Sequence, residues 1–246
     1  MKVAVITPYY EGNDPEWLEQ CHRSVQLQDY PCTHIIVGDG HQDKRIDDWQ
    51  AQHIKLDINH ADYGDTPRAI GSLSAIGQGF DAIAYLDADN WYKPNHISSL
   101  VKLHQATHAA VCLSGRTIHR ADGTLMGKCG ETDGENFADT SSLFFTRKAF
   151  QLASSWATID PELHAIGDRV VFHLIKQHKL SLSFTGMDTL AYRTDLPDAY
   201  FNRQVPAKDL PSSEKMKEAR KAFTYLINKG GPDLRPIRQR NNQANN

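Results

Sequence analysis

Apolar residues along the first hundred positions follow two alternating rhythms. Short unbroken runs, Val3 to Thr7, His34 to Val37 and Ala82 to Leu86, have the length and composition of strands buried on both faces. Between them the spacing turns helical. Leu18, Cys21 and Val25 share one helical face behind Asp14-Pro15-Glu16, an N-cap residue with proline at the first helical position. His53 to Ile58 alternates as a third strand, Thr66 to Gln78 predicts a helix with Pro67 in its first turn, and Pro94 to His104 begins another. Strand-helix alternation of this kind predicts an α/β fold on a doubly wound, mostly parallel sheet.

After residue 107 the rhythm changes. Ala110 to His119 is a strand running into the turn Arg120-Ala121-Asp122-Gly123, with Thr124-Leu125-Met126 returning along it. Ser141 to Phe145 and Asp188 to Arg193 are further strands, with a helix from Asp168 to His178 between them. A smaller antiparallel part therefore follows the parallel one. The expected organisation is one domain over 1–195, with halves 1–107 and 108–195, and a helical extension with a flexible tail over 196–246. In that extension Met216, Ala219, Phe223 and Leu226 give Ser213 to Asn228 a helical face, and Gly230-Gly231-Pro232 stops it. The last stretch, with Arg235, Arg238 and Arg240 before its Asn and Gln residues, has the composition of a disordered tail.

A hydrophobic fraction of 40% and a charged fraction of 23% over 246 residues suit one sizeable core. The net charge of -3, with no basic stripe outside the tail, argues against a nucleic-acid partner. Cys21, Cys32, Cys112 and Cys129 contain no C-x-x-C pair, so they are expected as small buried residues in a reducing, cytoplasmic setting. The run from Met1 to Ile6 is too short for a signal peptide, and nothing approaches twenty apolar residues, so no transmembrane segment is expected. Peripheral membrane association stays compatible with the sequence.

The richest chemistry stands at Asp87-Ala88-Asp89, directly after the buried run Ala82 to Leu86 and before Asn90-Trp91-Tyr92-Lys93-Pro94. Open α/β sheets bind ligands at the carboxyl ends of their strands. Two carboxylates there suit Mn²⁺ or Mg²⁺, which such sites hold with one or two carboxylates plus substrate phosphates. A nucleotide diphosphate is the fitting guest. Gly38-Asp39-Gly40 ends the second strand in a turn open to close ligand approach. The twelve histidines show no metal-binding spacing. His41, His164 and His173 are expected as surface or hydrogen-bonded residues, and Glu162 and Trp156 are placed on the acceptor side by position alone.

The order of these features resembles the GT-A fold glycosyltransferases, most closely their family-2 group, over about residues 1 to 195. The resemblance implies that 1–107 binds the nucleotide and 108–195 the acceptor. It also implies that Pro8, Tyr9, Tyr10 and Glu11 contact the nucleoside, that Asp39 accepts a hydrogen bond from the base, and that Arg68 lies beside the base or diphosphate. Asp87 would touch ribose or metal, and Asp89 the metal. A uracil imide N–H suits a carboxylate acceptor, which favours UDP. Asp139 to Phe145 resembles the strand flooring the sugar site, and Tyr192-Arg193 the closing strand. Family members keep an acidic catalytic base at a helix start, often written Glu-Asp; here the pair is Gly167-Asp168, and Asp168 retains the carboxylate.

The activity so implied is metal-dependent transfer of a hexosyl group from a nucleotide-diphosphate sugar to an acceptor hydroxyl, with inversion and Asp168 as general base. The acceptor is a glycan, a small molecule or a lipid-linked species. A helix start is expected to favour the ionised form of Asp168. A phosphatase of the Asp-x-Asp type is excluded because Asn90-Trp91 follows the motif, and a calcium loop because the required Gly and distal Glu are missing. Two alternatives stay open: a catalytically silent nucleotide-sugar binding module, and a GT-A-like nucleotidyltransferase, although the latter's glycine- and lysine-rich first loop is replaced by Pro8 to Glu11.

Overall fold

The structure, a computed structural model, describes residues 1–194 and 214–236. Strands β1 (Val3–Tyr9), β2 (Cys32–Asp39), β3 (Gln52–Leu56) and β4 (Ala82–Tyr85) form the first part of the sheet, with helices α1 (Pro15–Gln26) and α2 (Asp65–Gly77) between them. β1 is parallel to β2 on one side and to β4 on the other, and β3 adds in parallel outside β2. Every residue of β1 and β4 is buried, as the unbroken apolar runs require of strands covered on both faces. Ala4 and Ile6 face a core layer with Ala69, Ala75, Val171 and Ile175, while Val3 and Val5 face the opposite layer with Cys21, Val25, Ile97 and Leu100. That split is the two-residue period of a strand.

Asp14 caps α1 by accepting the Glu16 amide at 2.8 Å, with Pro15 leading the helix as expected. α2 starts one residue earlier than its apolar spacing indicates. Its N-cap is Gly64, whose φ of +85° is open to glycine and strained for a side chain. Helix α3 (His96–Thr107) begins two residues past Pro94 and runs three beyond His104.

The second part comprises β5 (Trp91–Tyr92), β6 (Val111–His119), β7 (Leu125–Lys128), β8 (Leu143–Thr146) and β9 (Leu182–Arg193), giving the sheet order β3-β2-β1-β4-β8-β6-β9-β5 with β7 on β6. Polarity reverses at β8, which is antiparallel to both β4 and β6. The β6-β7 hairpin closes through the turn at Gly123. Two features depart from the sequence reading. β9 begins six residues before Asp188, and it runs parallel to β6 through two register shifts, so this half is mixed rather than simply antiparallel. Trp91 and Tyr92 pair antiparallel with β9.

Two stretches of 3₁₀ turns, Arg147–Thr158 and Pro161–Ile166, carry the chain from β8 to helix α4 (Gly167–Gln177). Helix α5, described from Glu214 to Asn228, buries Ala222 and Phe223 against the same core layer as α4. Ser213, Arg238, Arg240 and the trailing Asn and Gln residues lie outside the described residues. All four cysteines are free; Cys21 and Cys112 are buried, and Cys32 and Cys129 half-buried. Among the described residues no helix is long and apolar enough to cross a membrane.

Candidate active site

β1, β2 and β4 end at one sheet edge, and a cavity of about 550 Å³ opens there. Pro8, Tyr9, Tyr10, Asp39, Arg68, Asp87 and Asp89 all line it. Glu11 instead lines a neighbouring cavity of about 360 Å³ with His41, because β1 has already given way to an exposed turn there. Tyr9 is held from behind: its hydroxyl lies 2.7 Å from His53 Nε2 and accepts the Asp43 amide at 3.1 Å. Tyr10 is half exposed and available for stacking. The Asp39 carboxylate accepts the His60 amide at 3.1 and 3.2 Å and lies 2.6 Å from His60 Nδ1. An ionised carboxylate has about four acceptor sites, so Asp39 keeps capacity toward the cavity.

The loop after β4 is latched to distant strands. Ser141 Oγ accepts the Asp87 amide at 3.1 Å and Asn90 Nδ2 at 3.2 Å. From β9, Arg193 donates through Nε to the Asp89 carbonyl at 3.0 Å, and its amide donates to Asn90 Oδ1 at 2.9 Å. Its guanidinium stands 4.5 Å from the Trp17 ring and 5.0 Å from that of Trp91, which assigns Trp91 to supporting the loop.

A second cavity, of about 430 Å³, adjoins the first and is lined by Asp89, Arg116, Asp139, Asp168, Tyr192 and Lys215 among others. Asp89 and Lys215 line both cavities. Burial pushes Asp89 up to about 6, reinforced by the Asp87 charge, and pushes Asp139 to about 6 against the opposing charge of Arg116. Arg116 Nη1 donates to Asp139 Oδ2, an ion pair buried on both sides. Asp168 stands in the first turn of α4 and accepts the Arg169 amide at 2.7 Å; the helix N-cap is Ile166, so capping is not its task. Burial raises its carboxyl above the ordinary value, against the Arg169 charge that lowers it. The net direction is thus opposite to what a helix start alone implies, because desolvation outweighs the helix end.

Arg68 links the first cavity to the interior. It is buried, donating through Nη2 to Asp87 Oδ1 at 2.6 Å and through Nη1 to the Tyr63 carbonyl at 2.9 Å and Asp65 Oδ1 at 3.3 Å. On its other oxygen Asp65 lies 2.8 Å from His164 Nδ1. A Cβ on Gly167 would stand 3.0 and 3.1 Å from the two Asp65 oxygens and 3.3 Å from Ile159 Cδ1. A side chain at position 167 would press on Asp65, which would have to give by a few tenths of an ångström.

A family model for glycosyl transferase family 2 matches residues 4–173. The chain belongs to that family. Its fold is also that of S. aureus TarS: the 1–349 fragment in complex with UDP aligns at TM-score 0.59 and 15% identity over 92% of this chain and 71% of that one. The same fragment in complex with UDP-GlcNAc aligns at 0.56 and 14%, over 93% and 67%. Against a longer TarS chain the score is 0.59 at 16% identity, and this chain spans 43% of its length. No curated protein sequence matches.

In this glycosyltransferase the second cavity includes two charged residues, Lys215 and Arg116, that sequence reading left unnamed. Lys215 comes from α5, where the Tyr192 hydroxyl and the Asp89, Asp87 and Asp139 carboxylates raise its ammonium above the ordinary lysine value. Its spacing in a charged, amphipathic helix looks like any solvated lysine. Arg116 lies mid-strand in Leu113-Ser114-Gly115-Arg116-Thr117, and a charge inside an apolar strand was the available signal. Two expectations are corrected. Trp156 is fully buried, edge-on to Tyr85 and 5.3 Å from the Arg68 guanidinium, and Glu162 is exposed in a 3₁₀ turn; neither lines the second cavity. Both lie in the 3₁₀ stretches after β8, whose path the sequence did not reveal. His41 lies edge-on to Tyr9, and His173 lines a small cavity between α4 and Pro232 to Leu234.

Proposed function

We propose that this glycosyltransferase moves a hexosyl group from a UDP-sugar to an acceptor hydroxyl with inversion, and that Asp168 is its general base. The observation that carries the reading is the junction of the two cavities at Asp89 and Lys215, with Asp39, Arg68 and Asp87 on one side and Asp168 on the other. A donor seated with its base near Asp39 and its diphosphate near Asp89 presents its anomeric carbon to the second cavity. Asp168 takes the acceptor hydroxyl's proton as that oxygen attacks carbon 1, and the bond to the diphosphate breaks with its electron pair leaving on UDP. Attack from the far side inverts the centre. TarS, bound to UDP in one structure and UDP-GlcNAc in another, supports a uridine donor by analogy of fold.

Mn²⁺ or Mg²⁺ fits the donor edge. Asp87 and Asp89 are hard oxygen donors, and the repulsion that helps raise Asp89 is relieved by a cation. Among the described residues no cluster of three or more His, Cys, Asp or Glu side chains forms a protein-only cage, so diphosphate and water oxygens would complete the shell. When bound, the ion supplies charge neutralisation at the leaving diphosphate. Lys215 supplies a second, protein-borne positive charge at the same edge.

The alternative of a silent binding module is tested by incubating the full chain with UDP-glucose, UDP-galactose, UDP-GlcNAc and GDP-mannose plus Mn²⁺. Slow hydrolysis of a UDP-sugar, lost in Asp168→Asn while UDP binding persists, is the expected result. Binding of UDP with no turnover of any donor, with or without a panel of glycan and lipid-linked acceptors, would favour the module.

A further inference from the structure

We propose that Asp65 is a positioning residue for donor binding, and that it delivers from α2 a carboxylate that position 167 could deliver equally from α4. The inference rests on the uridine-donor reading above. Arg68 is held between two carboxylates of different exposure. Asp87 has 26% of its side chain exposed on the cavity side, whereas Asp65 has 2% exposed on the inner side. His164 anchors Asp65 from the segment that leads into α4. The chain His164-Asp65-Arg68-Asp87 thus runs from the turn before the base-bearing helix to the donor edge.

The inner carboxylate decides where the guanidinium rests. Arg68 Nε is buried and has no hydrogen-bond partner, so orientation depends on Nη1 and Nη2 alone. With Asp65 removed, Asp87 is the strongest charge left acting on Arg68, ahead of Asp62, and Arg68 is drawn toward the cavity, covering the oxygens that the donor edge presents. A buried guanidinium also loses part of its compensation, which is penalised in a dry interior. Asp65 is therefore expected to act on donor affinity through Arg68, without touching donor itself.

Gly167 makes the proposal testable by exchange. The two Asp65 oxygens lie 3.0 and 3.1 Å from the point where a residue-167 Cβ would stand, within the span of a glutamate side chain. Gly167→Glu in the native background forces two carboxylates into one pocket. The same substitution beside Asp65→Ala refills a vacated one. A merely structural deficit at position 65 would not be repaired from another helix by a charge of the same sign.

The test is calorimetric titration of the protein with UDP in Mn²⁺, with ligand-free melting followed in parallel. Wild type binds UDP; Asp65→Ala weakens that binding about ten- to hundredfold, the size of a lost charged hydrogen bond. Gly167→Glu alone is weakened similarly, and the Asp65→Ala/Gly167→Glu pair recovers to within about threefold of wild type. Asp65→Asn, which keeps the side chain's shape, serves where the alanine variant does not fold, and it too loses affinity. Unchanged UDP affinity in a folded Asp65→Ala or Asp65→Asn protein overturns the proposal. So does a folded double variant that binds no better than Asp65→Ala. If wild type itself fails to bind UDP, the uridine-donor reading falls first and this inference with it.

Discussion

Arg68 Nη2 and Asp87 Oδ1 meet at 2.6 Å in the lining of the first cavity, and the arginine end of that pair is buried. Removing one partner of a buried pair leaves an uncompensated charge and costs about 3–5 kcal/mol. Arg68→Ala is therefore expected to destabilise the protein by about that amount, discounted for the partial exposure of Asp87. Arg68→Lys keeps the charge without the fork that spans Asp87, Asp65 and the Tyr63 carbonyl, and is expected to fold with weaker UDP binding. Urea unfolding of both variants checks the first statement; UDP titration of Arg68→Lys checks the second.

Asp39 spends part of its acceptor capacity on His60, and the remainder faces the cavity. Asp39→Ala is expected to weaken UDP by about 1.5–3 kcal/mol, the worth of a hydrogen bond to a charged group, and inorganic diphosphate far less. Competition binding with the two ligands measures the difference. Equal losses would remove Asp39 from base recognition.

At the donor edge, UDP affinity is expected to rise on adding Mn²⁺ or Mg²⁺ to chelator-treated protein, and Asp89→Ala is expected to abolish that rise. The carboxylate and the diphosphate would share the ion. Titration with UDP in EDTA and in Mn²⁺ gives the answer, and identical affinities for wild type would count against a metal at this site.

Asp168→Asn preserves shape and removes basicity, so donor binding should persist while transfer falls about 10²–10⁴-fold. The base works only when ionised. Because burial raises its carboxyl above the ordinary 3.8, activity falls as pH drops through a limb lying above that value. Asp139, held at about 6, titrates in the same cavity, so the limb belongs to Asp168 and Asp139 jointly. A kcat/KM profile with an acid limb no higher than that of an unperturbed carboxylate would contradict the burial effect, and wild-type rates in Asp168→Asn would contradict the assignment.

What could be read in the sequence was what is contiguous in it. Val3-Ala4-Val5-Ile6 and Ala82 to Tyr85 form neighbouring, fully buried parallel strands, and their unbroken apolar runs announce that without any partner in view. Asp87-Ala88-Asp89 was legible for the same reason, since a strand end fixes its own edge. The first half of β9 was not, because none of Leu182 to Met187 is buried and Gly186 interrupts the alternation. The Asp65-His164 pair joins positions 99 apart, and nothing local to either marks it. Gly167 looked like a missing carboxylate until Asp65 was seen occupying the space beside it. Lys215 was hidden by its surroundings, a helix with lysines at 215, 217 and 221 that a solvated face explains equally well.

The latch between Arg193 and the Asp89 carbonyl bridges 104 positions, and this sets an order of events on the ribosome. β1, β2 and β4 can pair as soon as residue 85 is free of the exit tunnel, leaving a nascent sheet whose acidic edge has no support. β6 then waits with one side open until β9 has been made, since its parallel partner spans Leu182 to Arg193. Late, non-local closure of this kind slows folding and leaves a strand edge open to other chains. Chains cut short before residue 193 should aggregate, and a pause in translation should do little harm once residue 193 has left the tunnel.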